Sequence, residues 1–399
     1  MLDDRTVRLS FSAAGTLGDL GKTQLEISSP GHLDLKADAA AKNLLDANRM
    51  EASARFEGDF RDLAFLKALL PDTVLRRRVA IPALIRLRGS AGADRGTFST
   101  ASTLSADGGE LSVKGRFNPR EQSYDAAIRA DSFPLNSFLP ADSLGIVDLA
   151  LQARGTGFDP LLPRTRTSLR AQIDRAEFGG RDFGGIELDA ELDSQRLSGR
   201  ISDRDEALRL LLSVSGTLTE REQRIGLSGS VFGFDLAALG VSPEPIGGSF
   251  ALDASASAAG KGAYAARIAL DSIEIRNKHR TDRIRPTSVS LHTDSAATRA
   301  EAASGDLSLT FSTPQSADSL IAALTRSARA LAGQIDAQSI DMEQLKPALP
   351  DFALRVSAGP DNILNSLLKS RKIAFDALNA EGANCDSLPV SIRLRTEGL

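Results

Sequence analysis

Residues 208–218 read Leu208-Arg209-Leu210-Leu211-Leu212-Ser213-Val214-Ser215-Gly216-Thr217-Leu218. Leu208, Leu210, Leu212, Val214, Gly216 and Leu218 fall on every second position. Side chains alternate across an extended backbone, so this is a strand with one aliphatic face and one polar face. The same period of two recurs along the chain. Leu111, Val113, Gly115 and Phe117 alternate with Ser112, Lys114 and Arg116. Tyr124, Ala126, Ile128 and Ala130 form another row, and Val147, Leu149, Leu151 and Ala153 a third. The pattern continues through 225–231, 250–258, 264–270, 307–311, 352–356 and 373–375, about twenty segments in all. Links such as Asn118-Pro119-Arg120-Glu121 and Thr219-Glu220-Arg221-Glu222 are short enough for antiparallel hairpins. No regular helical pattern separates the strands, which excludes a parallel βα-type sheet. The fold class is all-β.

Helices interrupt the pattern twice. Thr313-Pro314 starts a helix running to about 333, with Leu320, Leu324, Ala328 and Leu331 on one face and Arg326 and Arg329 away from it. A shorter helix fits 362–372, through Ile363, Leu364, Leu367 and Leu368. A weak repeat adds short aliphatic runs ending near proline, at 60–71, 132–140, 232–243 and 340–350. Their irregular spacing is no solenoid ruler and suggests a module of strands plus a small helical plug.

The chain has 399 residues, 42% of them hydrophobic and 25% charged, so wholesale disorder is excluded. One cysteine and 3 histidines exclude a disulfide scaffold and a Cys-rich metal site. The net charge of −4 carries no nucleic-acid footprint. No apolar run is long enough to cross a membrane, and Asp3 and Asp4 spoil a signal peptide. Strand pattern reaches both termini, at 6–13 and 390–394, so the expectation is a piece of a longer protein.

Catalytic constellations do not form. Gly21-Lys22-Thr23 lacks the upstream glycine of a phosphate loop, since that position is Thr16, and reads as a hairpin turn. The Gly-rich run 178–185 sits between two strands and reads as a turn. Gly226-Leu227-Ser228-Gly229 lies in a strand and is no nucleophile elbow. His32, His279 and His292 have no ligand spacing, and Cys385 has no local histidine. Asp203-Arg204-Asp205-Glu206 reads as solvated turn charge. Arg76-Arg77-Arg78 is the one dense basic run, too short to mark a lipid or acidic partner. The chain is read as a non-enzyme without cofactor or metal.

The aromatic share decides among all-β architectures. There are 17 Phe, 2 Tyr and no Trp, 5% in all. An outer-membrane barrel carries aromatic girdles, and a sandwich domain usually has Trp or Tyr anchors. A long antiparallel sheet curled into a trough fits better, because aliphatic walls accept flexible acyl chains that large rings would block. At about 4.8 Å per strand, twenty strands would stack to roughly 95 Å.

The alternating strands, the Phe234-Asp235-Leu236 and Ile340-Asp341-Met342 plugs and the helix after Ser304–Phe311 resemble the TamB family of translocation-and-assembly-module proteins, within the AsmA-like superfamily. Residues 115–350 look most like the central region of Bacteroidetes-type versions. The resemblance implies one elongated β-groove segment, 1–399, of a larger periplasmic protein anchored in the inner membrane. It implies phospholipid transport between the membranes, or support of outer-membrane protein assembly and secretion. It also implies an outer-membrane barrel partner, met through parts not present here. Two other functions fit the pattern: a scaffold pairing client strands at sheet edges, and a structural or adhesive array of β-domains.

The candidate acyl-chain lining is Leu111, Val113, Phe117, Ile128, Leu149, Leu151, Leu208, Leu210, Leu212, Val214, Ile225, Leu227, Ile268, Leu270, Leu307, Leu309 and Phe311. On this reading Leu212→Arg narrows and charges the trough.

Overall fold

A computed structural model describes residues 6–16, 18–46, 48–61, 79–140, 143–260, 262–278, 280–336, 349–369, 375–385 and 388–397. The 60–71 and 340–350 repeats lie largely outside these residues. So do Arg76-Arg77-Arg78, His279, Met342, Ile373 and the end of the shorter helix. The chain divides into two compact units, Met1–Gln195 with Gly199–Asp205, and Arg196–Ser198 with Glu206–Leu399.

The first unit is an antiparallel sheet laid down in chain order. Its strands are β1 (Arg8–Gly15), β2 (Leu20–Ser29), β3 (Leu33–Lys42), β4 (Glu51–Arg61), β5 (Leu84–Asp94), β6 (Thr97–Ala106), β7 (Gly109–Asn118), β8 (Ser123–Pro134), β9 (Leu144–Thr156) and β10 (Arg166–Phe178). The short β11 (Arg181–Phe183) and then β12 (Ile186–Asp193) pair with β10. Division between the units falls within β13 (Arg196–Arg204).

Turn chemistry sets this order. Arg95-Gly96, Asp107-Gly108 and Ser194-Gln195 each place two residues at positive φ between strands. That is the two-residue hairpin turn whose twist matches the flanking strands. In the β7–β8 link, Asn118 Oδ1 accepts the amides of Arg120 and Glu121 at 3.0 and 3.2 Å. Gly21-Lys22-Thr23, expected as a turn, lies inside β2, where Lys22 and Thr23 pair with Ala14 and Ala13 of β1. Thr16 and Asp19 bond reciprocally through their backbones and close that hairpin instead.

The second unit follows the same plan. Its strands are β14 (Leu208–Leu218), β15 (Glu222–Asp235), β16 (Gly247–Ala259), β17 (Ala263–Arg276), β18 (Thr281–Ile284), β19 (Thr287–Thr293), β20 (Thr298–Ser304), β21 (Leu307–Thr313), β22 (Phe352–Ala358), β23 (Ala377–Cys385) and β24 (Leu388–Glu397). Each pairs antiparallel with the next, except that β18 and β19 both pair with β17. Neither sheet closes on itself among the described residues.

Three helices complete the described elements: α1 (Leu135–Phe138), α2 (Ala317–Asp336) and α3 (Ile363–Lys369). None is long and apolar enough to cross a membrane. Helix α1 is the plug expected at 132–140. It packs Leu135 and Phe138 onto Ala130, Phe133 and Val147, the buried core of the first unit. The 232–243 repeat is a turn, not a helix: the amides of Val241 and Ser242 both bond to the Leu236 carbonyl. Phe375 stands outside any strand, buried against α3 through Asn365.

Asp203 also departs from expectation. It lies in β13 and is buried, not in a solvated turn. Burial pushes its carboxyl above the ordinary range, opposed by the amide of Asp205 at 2.9 Å.

Candidate functional site: an uncovered aliphatic face

Register places the apolar positions of neighbouring strands directly opposite one another. In the first unit one row runs Leu9, Ile27, Leu35, Gly58, Leu87, Leu104, Leu111, Ala130, Leu149, Ile173, Ile186 across β1–β10 and β12. The adjacent row runs Phe11, Leu25, Ala37, Phe56, Gly89, Ser102, Val113, Ile128, Leu151, Ala171, Leu188. Neither row holds a charged side chain. Its one hydroxyl, on Ser102, pairs with Thr100 at 3.1 Å. Eleven strands carry these rows over about 50 Å.

The opposite face is charged, and its charges are paired across strands. Arg88 meets Glu57 at 2.9 Å, Arg154 meets Asp125 at 2.8 Å and Arg166 meets Asp193 at 2.9 Å. All are exposed, and each such pair contributes about 0–1 kcal/mol. Their effect is on register: a slip by one residue would turn every charge onto the apolar face. A cleft of about 1020 Å³ opens among these polar side chains, between Arg116, Asp125, Arg154, Arg166 and Asp193. It is a gap within a solvated, internally paired surface.

Among the described residues the apolar face has no such paired cover. Strands touch their lateral neighbours, and the side chains of both rows mostly keep partial exposure. Inside a sandwich the same positions would be buried by a second sheet about 10 Å away. Helix α1 caps part of the face, so Leu111 and Leu149 pack in part against the α1 core; Ala93 on β5 is buried as well.

The second unit repeats the arrangement. One row runs Val214, Leu227, Ala254, Ile268, Val289, Ala302, Leu309, Val356, Ala380. The next runs Gly216, Ile225, Ala256, Ala266, Leu291, Ala300, Phe311, Leu354, Gly382. The middle of this face is the most open: Ile268 is 46% exposed and Val289 47%.

Val113, Ile128 and Leu151 are consecutive in one row, and Leu111 and Leu149 flank Ala130 in the other. Phe117 stands at the hairpin end, opposite Tyr124. In the second unit Val214 faces Leu227, while Ile268 and Leu309 share their row. Ile225 and Phe311 share the next. Leu208, Leu210 and Leu212 oppose Phe234, Val231 and Gly229. Leu270 lies between Leu252 and Thr287, and Leu307 opposes Ser304. Of all seventeen, Leu212 is the one that is buried. Leu35, Phe56, Leu87, Leu104, Ile173, Val289, Leu291 and Val356 belong to the same rows. Their strands carry the same alternation, diluted by glycine, alanine and serine.

Aromatic rings are present on this face, contrary to the expectation that they would block it. Phe56 stands opposite Gly89, Tyr124 opposite Gly155 and Phe234 opposite Gly248. A Cβ on Gly89 would stand 2.7 Å from the Phe56 ring, and one on Gly248 2.9 Å from the Phe234 ring. Each ring therefore lies down over a bare backbone and forms wall, not obstruction. Tyr124 also stacks on Phe158 at 5.3 Å, and its hydroxyl meets Thr167 Oγ1 at 2.7 Å.

No group of three His, Cys, Asp or Glu side chains among the described residues is placed to hold a metal. Compared with protein-family models, curated proteins and solved structures, the chain matches none of them.

Proposed function

We propose that the chain is a lipid-handling β-groove segment of a cell-envelope protein, TamB-like in kind, whose apolar face carries phospholipid acyl chains across the periplasm. The observation behind this reading is the long aliphatic face of each unit, most of whose side chains keep partial exposure among the described residues. Its chemistry is passive. Acyl chains lie along the rows while head groups stay in water at the strand ends. Burial contributes about 0.8 kcal/mol per methylene, so ten covered methylenes are worth roughly 8 kcal/mol. That stabilises a chain out of a bilayer without any specific contact, and sliding from row to row exchanges like for like.

The test compares the two faces. Photo-crosslinking residues at Ile128 and Ile268 are expected to capture phospholipid in cells, read by mass spectrometry. The same residue at Lys114 and Arg129, on the charged face, is expected to capture none. Equal capture on both faces, or none on either, rejects the conduit.

A second reading rests on β1. Among the described residues it pairs only with β2, and all eight of its residues are exposed, Leu9 at 66% and Phe11 at 64%. It has none of the lysines or prolines that blunt sheet edges. Such an edge can accept an added strand through its backbone. If this is its work, crosslinkers at Ser10 and Ser12 capture outer-membrane protein precursors, and charges on the apolar face leave that capture unchanged.

A further inference from the structure

Three apolar columns of the second unit end in the same residue type. On β19, Val289 and Leu291 are followed on the same face by Thr293. On β20, Ala302 and Ala300 lead to Thr298. On β21, Leu309 and Phe311 lead to Thr313. Register sets these threonines directly opposite one another, Thr293 to Thr298 to Thr313. All three are buried.

The hydroxyls of Thr293 and Thr298 anchor the start of α2, whereas that of Thr313 is buried without a hydrogen-bond partner among the described residues. The Thr293 and Thr298 oxygens are 2.8 Å apart. The Ala317 amide donates to Thr293 Oγ1 at 3.0 Å, and Thr298 Oγ1 donates to the Gln315 carbonyl at 2.8 Å. These hydroxyls stand on the apolar side of the sheet. Helix α2 therefore leaves the sheet on its apolar side, at the end of its most open columns.

Amphipathicity of α2 is only half used. Leu320, Ala323 and Ser327, at i, i+3 and i+7, are buried against the protein. The expected face of Leu320, Leu324 and Ala328 is thus rotated: Leu320 is covered, whereas Leu324 and Ala328 are not. Leu331 lies outside the described side chains. Ile321 and Leu324 form a neighbouring stripe, 62% and 50% exposed. Ile321 is about one helical turn, some 6 Å, beyond the anchored amide. Leu291 is two strand residues, about 7 Å, before the anchoring threonine. Both lie within the reach of one acyl chain. Arg326 and Arg329 are exposed on the polar side of the same helix, with no ion pair among the described residues.

We infer that α2 and the β17–β19 columns form one phospholipid site, in which Ile321 and Leu324 rest on an acyl chain lying along Ile268, Val289 and Leu291, and Arg326 and Arg329 serve an anionic head group. The inference rests on the lipid-handling reading and adds to it a fixed place and a head-group preference. The threonine row stops the apolar columns, so the acyl chain ends there and α2 roofs it.

The purified full chain, incubated with vesicles containing a diazirine-acyl phosphatidylglycerol and irradiated, tests this by peptide mapping. Adducts are expected on both the α2 peptide and the β19 peptide. Leu324→Glu, at an exposed position, is expected to lower both at least fivefold and to spare adducts around Ile128. Arg326→Ser with Arg329→Ser is expected to lower α2 capture severalfold, but not when the label is on phosphatidylcholine. Adducts along the sheet with none on α2, or α2 adducts indifferent to Leu324→Glu, overturn the roofed site and leave the groove standing. Equal loss of both lipids in the arginine variant overturns the head-group preference. Absence of adducts anywhere overturns the groove itself.

Discussion

Ile128→Arg is expected to cut phospholipid capture by the first unit about 100-fold while the protein stays folded. Ile128 lies between Val113 and Leu151, in the middle of a row without charge. Holding a guanidinium among acyl chains costs about 2.5–3.5 kcal/mol by membrane-insertion scales, and 2.7 kcal/mol corresponds to about 100-fold. Among the described residues no second layer covers the partly exposed Ile128, so without lipid the arginine reaches water and stability changes by about 1 kcal/mol or less. Capture of a labelled phospholipid, read beside a urea melt, separates the two effects. Unchanged capture with a silent melt would remove the conduit reading from this unit.

Leu212→Arg cannot serve the same purpose, although the sequence singles Leu212 out. Leu212 is 9% exposed and pairs with Gly229, whose backbone sits at positive φ with the Leu211 carbonyl against it. A guanidinium there has neither room nor water. The expected outcome is local unfolding, which would abolish lipid capture for a reason unrelated to the trough.

That contrast marks how far the sequence could be read. Period two assigned a face to Val113, Ile128, Leu151, Val214 and Leu227, and the register puts them side by side, because alternation and strand pairing are local rules. Exposure is not local. Leu212 and Ile268 have equivalent patterns, yet one is buried and the other is 46% exposed. Which side of α2 is buried is likewise not a local property. Its apolar stripe is wide enough for two orientations, and the choice is made by Thr293 and Thr298, some twenty residues upstream, through hydroxyls that no helical periodicity reports. The aromatic rings misled differently: Phe56 and Gly89 lie far apart in sequence, and only the β4–β5 register shows that one lies over the other.

Asn365→Ala is expected to cost about 3–5 kcal/mol in the second unit. Asn365, on α3, is 1% exposed. Its Nδ2 donates to the carbonyls of Phe375 and Pro360 at 2.9 and 3.0 Å, and its Oδ1 accepts the Phe375 amide at 3.3 Å. Truncation leaves the buried amide and carbonyl of Phe375 without this partner, at about 1–3 kcal/mol each before relaxation, and frees the partly exposed Pro360 carbonyl to water at lower cost. The loss would spread, because Asn365 is one link in a chain. Its own amide donates to Asn362 Oδ1 at 2.9 Å, and Asn362 Nδ2 donates to Asp306 Oδ1 at 2.6 Å. Asp306 sits in the β20–β21 turn and also accepts the Asp361 amide at 2.8 Å, while Asp361 pairs with Arg285 at 2.7 Å. Against the opposing effect of burial, the Asn362 and backbone donors hold the Asp306 carboxyl below its ordinary range. Its contribution is therefore present above the ordinary carboxylate pKa and lost as pH falls through the lowered folded value. Asn365→Asp sharpens the test. At neutral pH its carboxylate would face the Pro360 and Phe375 carbonyls and destabilise at least as much as alanine. Protonation supplies a donor again, so stability relative to Asn365→Ala should rise in acid, opposite in sign to the Asp306 effect. Hydrogen exchange over residues 359–377, followed from pH 7 to pH 4, would show it. Equal protection in the wild type and both variants would mean that α3 is held by apolar packing alone.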